Sequence, residues 1–76
     1  MNKQEFLVAL EDILQTEDPV EETQDLTELE EWDSLSKMAV MAYFKKEFAI
    51  ELVLSALKDI KTPADLIALA GDNIND

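Results

Sequence analysis

Few residues in this chain can do chemistry, and their types narrow the options quickly. There is no His and no Cys, so the usual general bases, thiol nucleophiles and soft metal ligands are missing. All six bases are Lys, which leaves no guanidinium fork for an anion, and the single Gly cannot build a Gly-rich phosphate loop. Carboxylates crowd residues 17–25, but that stretch lacks the alternating ligands, turn Gly and closing Glu of a calcium-binding loop. No metal site is expected, and unaided catalysis by carboxylates alone finds no marked cleft. One constellation remains, Glu31-Trp32-Asp33-Ser34-Leu35, where an acidic stretch meets a helical pattern. By itself it has an ordinary reading, because Asp is a common N-cap.

The surrounding pattern predicts the elements that hold Ser34. A first helix starts at Asn2, with Glu5 three residues on as in a capping box. Phe6, Leu7, Leu10, Ile13 and Leu14 form its apolar stripe. It stops near Gln15 or Thr16, because Pro19 disfavours helix at Asp18. Residues 16–33 then read as a long acidic loop without a base, pinned by Leu26, Leu29 and Trp32, with a helical turn near Leu26 to Leu29. The second helix starts at Ser34 behind Asp33 and runs to about Phe48. Val40, Met41, Phe44 and Phe48 make one stripe; Leu35, Met38, Ala39 and Ala42 make another. A helix apolar on most sides is normally buried, yet so small a domain cannot cover one fully. The part nearest its N-terminus is expected to stay open for a partner or ligand. Residues 49–54 alternate like a strand, but no second strand exists to pair with them, so they read as an extended connector before a short turn at 55–58. Thr62 caps the last helix, with Pro63 at its first position, Asp65 at the third and Gly71 at its end. The expected fold is all-α: three main helices plus one short one around a single core. The tail at 72–76 is expected to fray.

Composition sets the outer limits. With 76 residues the chain makes one small domain. Eighteen acids against six bases give −12 at pH 7. Such a chain repels nucleic acid and anionic membranes and is drawn to proteins with basic patches; the same charge also serves solubility. The N-terminal segment lacks the basic and apolar regions of a signal peptide, and no apolar run approaches the ~20 residues that span a bilayer. A cytoplasmic protein without membrane partners is expected. Its charge disfavours self-association, so a monomer is expected too.

Asp33-Ser34-Leu35 resembles the Asp-Ser-Leu attachment motif of the acyl carrier protein family. The likeness extends from about Lys3 to Gly71. Phe48-Ala49-Ile50-Glu51-Leu52 is similar to the family's Phe-x-Ile-Glu-Ile segment, and Ile60-Lys61-Thr62-Pro63-Ala64-Asp65-Leu66 to the entry of its last helix. The resemblance implies a small four-helix bundle of acyl-carrier type, with 4′-phosphopantetheine joined to Ser34 by a transferase acting on coenzyme A. The arm's thiol would carry acyl groups as thioesters, for enzymes that load and process them. A chain without Cys can thereby serve thioester chemistry. A phosphate on Ser34 would meet free backbone N–H groups and the positive end of the helix dipole. Asp33 would cap the helix and mark the site for the transferase. Leu35 and Met38, with Ala39 and Ala42, would form the partner-binding patch; core packing is the other reading of Leu35 and Met38.

The chain departs from the housekeeping fatty acid carriers on the second helix. Ser36, Lys37, Ala39, Lys45 and Lys46 stand where acids are typical, Val53-Leu54-Ser55-Ala56 replaces an acidic, Pro-containing connector, and Trp32 replaces a small residue. A reversed charge discriminates among partners, so a specialised polyketide, nonribosomal-peptide, aminoacyl or surface-glycan pathway is expected. Phe44 and Tyr43 suggest a filled core and a small cargo. The competing reading is an unmodified acidic helical adaptor that docks through the second helix and has no need of Ser34.

Overall fold

All three long helices begin on the same device, a reciprocal cap. In the computed structural model, which describes residues 1–75, Asn2 Oδ1 accepts from the Glu5 N–H while Glu5 Oε1 accepts from the Asn2 N–H, at 2.8 and 2.9 Å. This starts α1 (Lys3–Leu14). Asp33 and Ser36 do the same for α2 (Ser34–Phe48), and Thr62 and Asp65 for α3 (Pro63–Ala70). Each cap satisfies donors that a helix start leaves unpaired. Shorter 3₁₀ turns lie at η1 (Leu26–Glu28), η2 (Leu54–Asp59) and η3 (Gly71–Asn73). Among the described residues there is no strand, and the expected bundle of three main helices and a short one, η2, is what forms. Residues 49–53 form neither helix nor strand, in keeping with a connector that has no strand to pair with.

Each long helix ends on a residue with positive φ. α1 stops at Gln15 and α2 at Ala49, both left-handed at φ 57°. Behind α2, the Ala49 N–H donates to the Lys45 carbonyl (3.1 Å) and the Ile50 N–H to the Phe44 carbonyl (3.2 Å). Gly71 at φ +60° closes α3, a conformation that suits a residue without Cβ.

The core lies where α1, α2, η2 and α3 meet. Phe6, Leu10 and Leu14 come from α1, Val40 and Phe44 from α2, Leu57 from η2, and Leu66, Ile67 and Ala70 from α3. Burying each large apolar chain contributes about 1.5–3 kcal/mol. Rings fill one end of this core. Phe44 meets Phe6 and Phe48 edge-on at 6.0 and 5.1 Å, and Tyr43 meets Phe48 edge-on at 5.8 Å.

The acidic loop is ordered because its apolar residues and backbone are both used. Leu26 and Trp32 are buried and Leu29 half-buried, as their spacing suggested; Val20, which the spacing did not single out, is buried as well. The Leu26 N–H donates to the Lys61 carbonyl (2.7 Å), and the Ala64 N–H donates back to the Glu22 carbonyl (3.0 Å). Glu11 of α1 accepts from the Val20 N–H at 3.0 Å. The tail was expected to fray over 72–76. Across 72–75 it is instead docked: Ile74 is buried in the core and the Asn75 N–H donates to the Met1 carbonyl at 2.9 Å. The tail's one branched apolar residue supplies the anchor. Asp76 lies outside the described residues.

Candidate functional site

Ser34 is the first residue of α2 and is exposed. The cap beneath it is closed on both sides. Asp33 Oδ1 accepts from the Ser36 N–H (2.9 Å), Ser36 Oγ accepts from the Asp33 N–H (2.9 Å), and the Ser36 hydroxyl donates to the Asp33 carbonyl (3.0 Å). The first i→i−4 bond of the helix runs from the Lys37 N–H to the Asp33 carbonyl at 3.0 Å. The amides of Ser34 and Leu35 sit ahead of it, among the orphan donors of a helix start. An anion on the Ser34 hydroxyl therefore meets unpaired N–H groups and the positive end of α2.

Ser36 is the residue the sequence reading undervalued. It stood there only as a missing acid, yet it is buried and its side chain completes the cap. The Asp-x-x-Ser spacing was the available signal, since a hydroxyl can replace the Glu of a capping box. A second missed feature lies upstream. Trp32 is buried, and the Lys37 ammonium stands 5.6 Å from its ring centroid. These positions flank the cap as N′ and N4, the pair that fixes the angle at which a chain enters a helix. The Trp that departs from the family pattern thus pins the segment leading into Ser34.

The four apolar positions expected to form a patch are all exposed. Leu35 is 77% and Met38 57% exposed, and Ala39 and Ala42 also face outward. Core packing of Leu35 and Met38 is thereby set aside. Val40 and Phe44 are buried instead, with Met41 and Phe48 half-buried. A surface groove of about 400 Å³ between the end of α1 and the start of α2 is lined by Ile13, Leu14, Leu35, Ser36 and Ala39, with Glu31 and Asp33 at its acidic edge. On the opposite flank a groove of about 270 Å³ is lined by Met41, Ala42, Lys45, Glu51 and Leu52. Lys45 pairs there with Glu51 at 3.3 Å, both well exposed. Such a pair contributes little to stability. No group of His, Cys, Asp or Glu among the described residues is arranged to hold a metal.

The model of the phosphopantetheine attachment site family matches residues 4–70. The chain belongs to that family. The match takes in α2, α3, all of α1 but its first residue, and the loop between the first two helices. Neither the curated proteins nor the solved structures compared with the chain gave a match. Members of the phosphopantetheine attachment site family bear 4′-phosphopantetheine covalently on a serine, and the chain is a carrier of that arm. When bound, the arm supplies a terminal thiol that holds acyl groups as thioesters. No helix among the described residues is long and apolar enough to cross a membrane.

Proposed function

We propose that Ser34 is the residue that bears the arm, and that Leu35, Met38, Ala39 and Ala42 are the face read by the enzymes that load and unload it. The observation that carries this is the exposed Ser34 hydroxyl on the first turn of α2, directly behind the closed Asp33–Ser36 cap. In the attachment step the Ser34 oxygen forms the phosphodiester, the pyrophosphate bond of coenzyme A breaks, and adenosine 3′,5′-bisphosphate leaves. The hydroxyl proton goes to a base of the transferase, because this chain has no His. The protein itself carries and does not catalyse. Its partners are a phosphopantetheinyl transferase and a loading ligase or synthase, in the cytoplasm where coenzyme A is at hand, and it works as a monomer.

The test is intact mass after incubation with coenzyme A, magnesium and a broad-specificity transferase, beside a Ser34→Ala control. A gain of one phosphopantetheine, absent from the control, supports the attachment. A folded protein that gains nothing from several transferases is better read as an adaptor docking through its open apolar face.

The pathway reading rests on α2. Lys45 and Lys46 are exposed near its C-terminal end, and Ala39 is exposed near its middle. An enzyme that offers lysines and arginines to an acidic helix finds none of its partners at these positions. The chain therefore serves a specialised pathway, not housekeeping fatty acid synthesis. Normal elongation in a reconstituted fatty acid synthase would overturn this. The rings of Phe6, Tyr43, Phe44 and Phe48 occupy the space between α1 and α2, which supports a small cargo held outside the core.

A further inference from the structure

We infer that Lys37 is a seat for the phosphodiester of the arm, held ready by Trp32. This rests on Ser34 being the attachment residue. Ser34 and Lys37 are three residues apart on one helix, so they lie roughly 60° apart around the axis and about 5–6 Å apart at Cβ. Helical side chains lean toward the N-terminus, so a residue covers the turn before its own Cα. For Lys37 that turn is the one that holds Ser34. The structure shows the lean: the Lys37 ammonium reaches past the start of α2 to the ring of Trp32, two residues upstream of Ser34.

The indole does more than accept this contact. Trp32 is buried, and its backbone N–H donates to the Leu29 carbonyl at 3.1 Å. Its face draws a cation to one place, and Lys37 is half-buried there, while Lys45 and Lys46 are exposed. Six lysines serve the whole chain, and this is the one on the first turns of α2. The acids nearest in sequence are Glu30, Glu31 and Asp33; ion pairs among the described residues include Lys3 with Glu22 and Lys45 with Glu51. A phosphodiester keeps its negative charge at all working pH values and offers two acceptor oxygens. The orphan amides at the start of α2 and the Lys37 ammonium would hold it between them. The seat fixes the first atoms of the arm and thereby the direction in which the rest departs.

The experiment uses matched unmodified and arm-bearing full-length protein, with loading first verified by mass. Thermal melts at low salt and ³¹P spectra of the phosphodiester are taken for the wild-type chain, Lys37→Met, and Lys37→Arg. Loading is expected to raise the wild-type midpoint by roughly 3 °C, as one modest surface ion pair does in a domain of this size. The rise is expected to shrink in Lys37→Met to what the helix start alone supplies, return in Lys37→Arg, and diminish in 0.5 M salt. The ³¹P shift is expected to move in Lys37→Met alone. Comparing each variant with its own unmodified form removes any general effect of the substitution on folding. An identical rise and an identical ³¹P shift in the wild type and Lys37→Met overturn the seat while leaving attachment intact. A failure of mass gain in the wild type would instead count against Ser34 as the attachment residue.

Discussion

Asp33 combines two roles that substitution can separate. Its Oδ1 accepts from the Ser36 N–H at 2.9 Å, while the side chain as a whole is exposed, leaving its other oxygen open to a visiting enzyme. In Asp33→Ala the cap bond disappears at a cost of about 1 kcal/mol, and loss of the negative charge at the helix start costs about 0.5 kcal/mol more. For a domain of 76 residues the sum of about 1.5 kcal/mol lowers the melting midpoint by roughly 9 °C. Asp33→Asn keeps an acceptor for Ser36 and loses only the charge, so it is expected to melt about 3 °C below the wild type. Loading moves differently. A charge-assisted bond to the transferase is worth at least about 1.5 kcal/mol, so Asp33→Asn is expected to load about tenfold more slowly although its helix is intact. The assays are circular-dichroism melts and the initial rate of mass gain. Equal midpoints for the Ala and Asn variants would refute the cap as the source of stability, and wild-type loading of the Asn variant would refute recognition of the charge.

Further consequences can be checked with the same protein. Ala49 is held at φ 57°, so Ala49→Gly is expected to stabilise the fold by roughly 1 kcal/mol in denaturant titration. Leu35→Ser removes the side chain that is 77% exposed; its stability is expected within about 0.5 kcal/mol of the wild type, while the rate of thioester loading by the partner ligase falls. The Asp65 carboxyl is held below its usual range by the N–H groups of Lys61 and Thr62. A depressed pKa contributes stability above the unfolded value near 3.8 and loses it as pH falls through the folded value, so Asp65→Asn is expected to flatten part of the acid-unfolding curve seen by ellipticity. Desolvation, then the charges of Glu47 and Glu5, push the Tyr43 phenol up, and an ultraviolet titration is expected to place its midpoint above 10.0.

Much of this fold is written locally, which is why it was legible. Asn2, Asp33 and Thr62 each announce a helix within four residues, and Pro63 and Gly71 bracket the last one. The apolar face of α2 could be divided correctly because a small core has room for only one of its two stripes, and Val40 and Phe44 took it. What the pattern could not show depends on partners distant in the chain or on unusual pairings. Val20 is core because Glu11 takes its amide nine residues away. Ile74 is core because the tail turns back beside Met1. Trp32 and Lys37 belong to different classes of side chain, and only the geometry of the helix entry makes them one contact.

The backbone bonds that tie the acidic loop to α3 also bear on how a carrier travels. Leu26 is fastened to Lys61, and Glu22 to Ala64, so the stretch leading to Trp32 and Ser34 is anchored to the far side of the bundle. If Ser34 bears the arm, as proposed, its pivot is a fixed post with little slack in the chain beneath it. All reach comes from the arm's own length, and all travel between enzymes comes from tumbling of the whole body. An enzyme that holds α2 in one orientation therefore sets where the thiol can go, much as a clamp on a crane's base sets the arc of its jib.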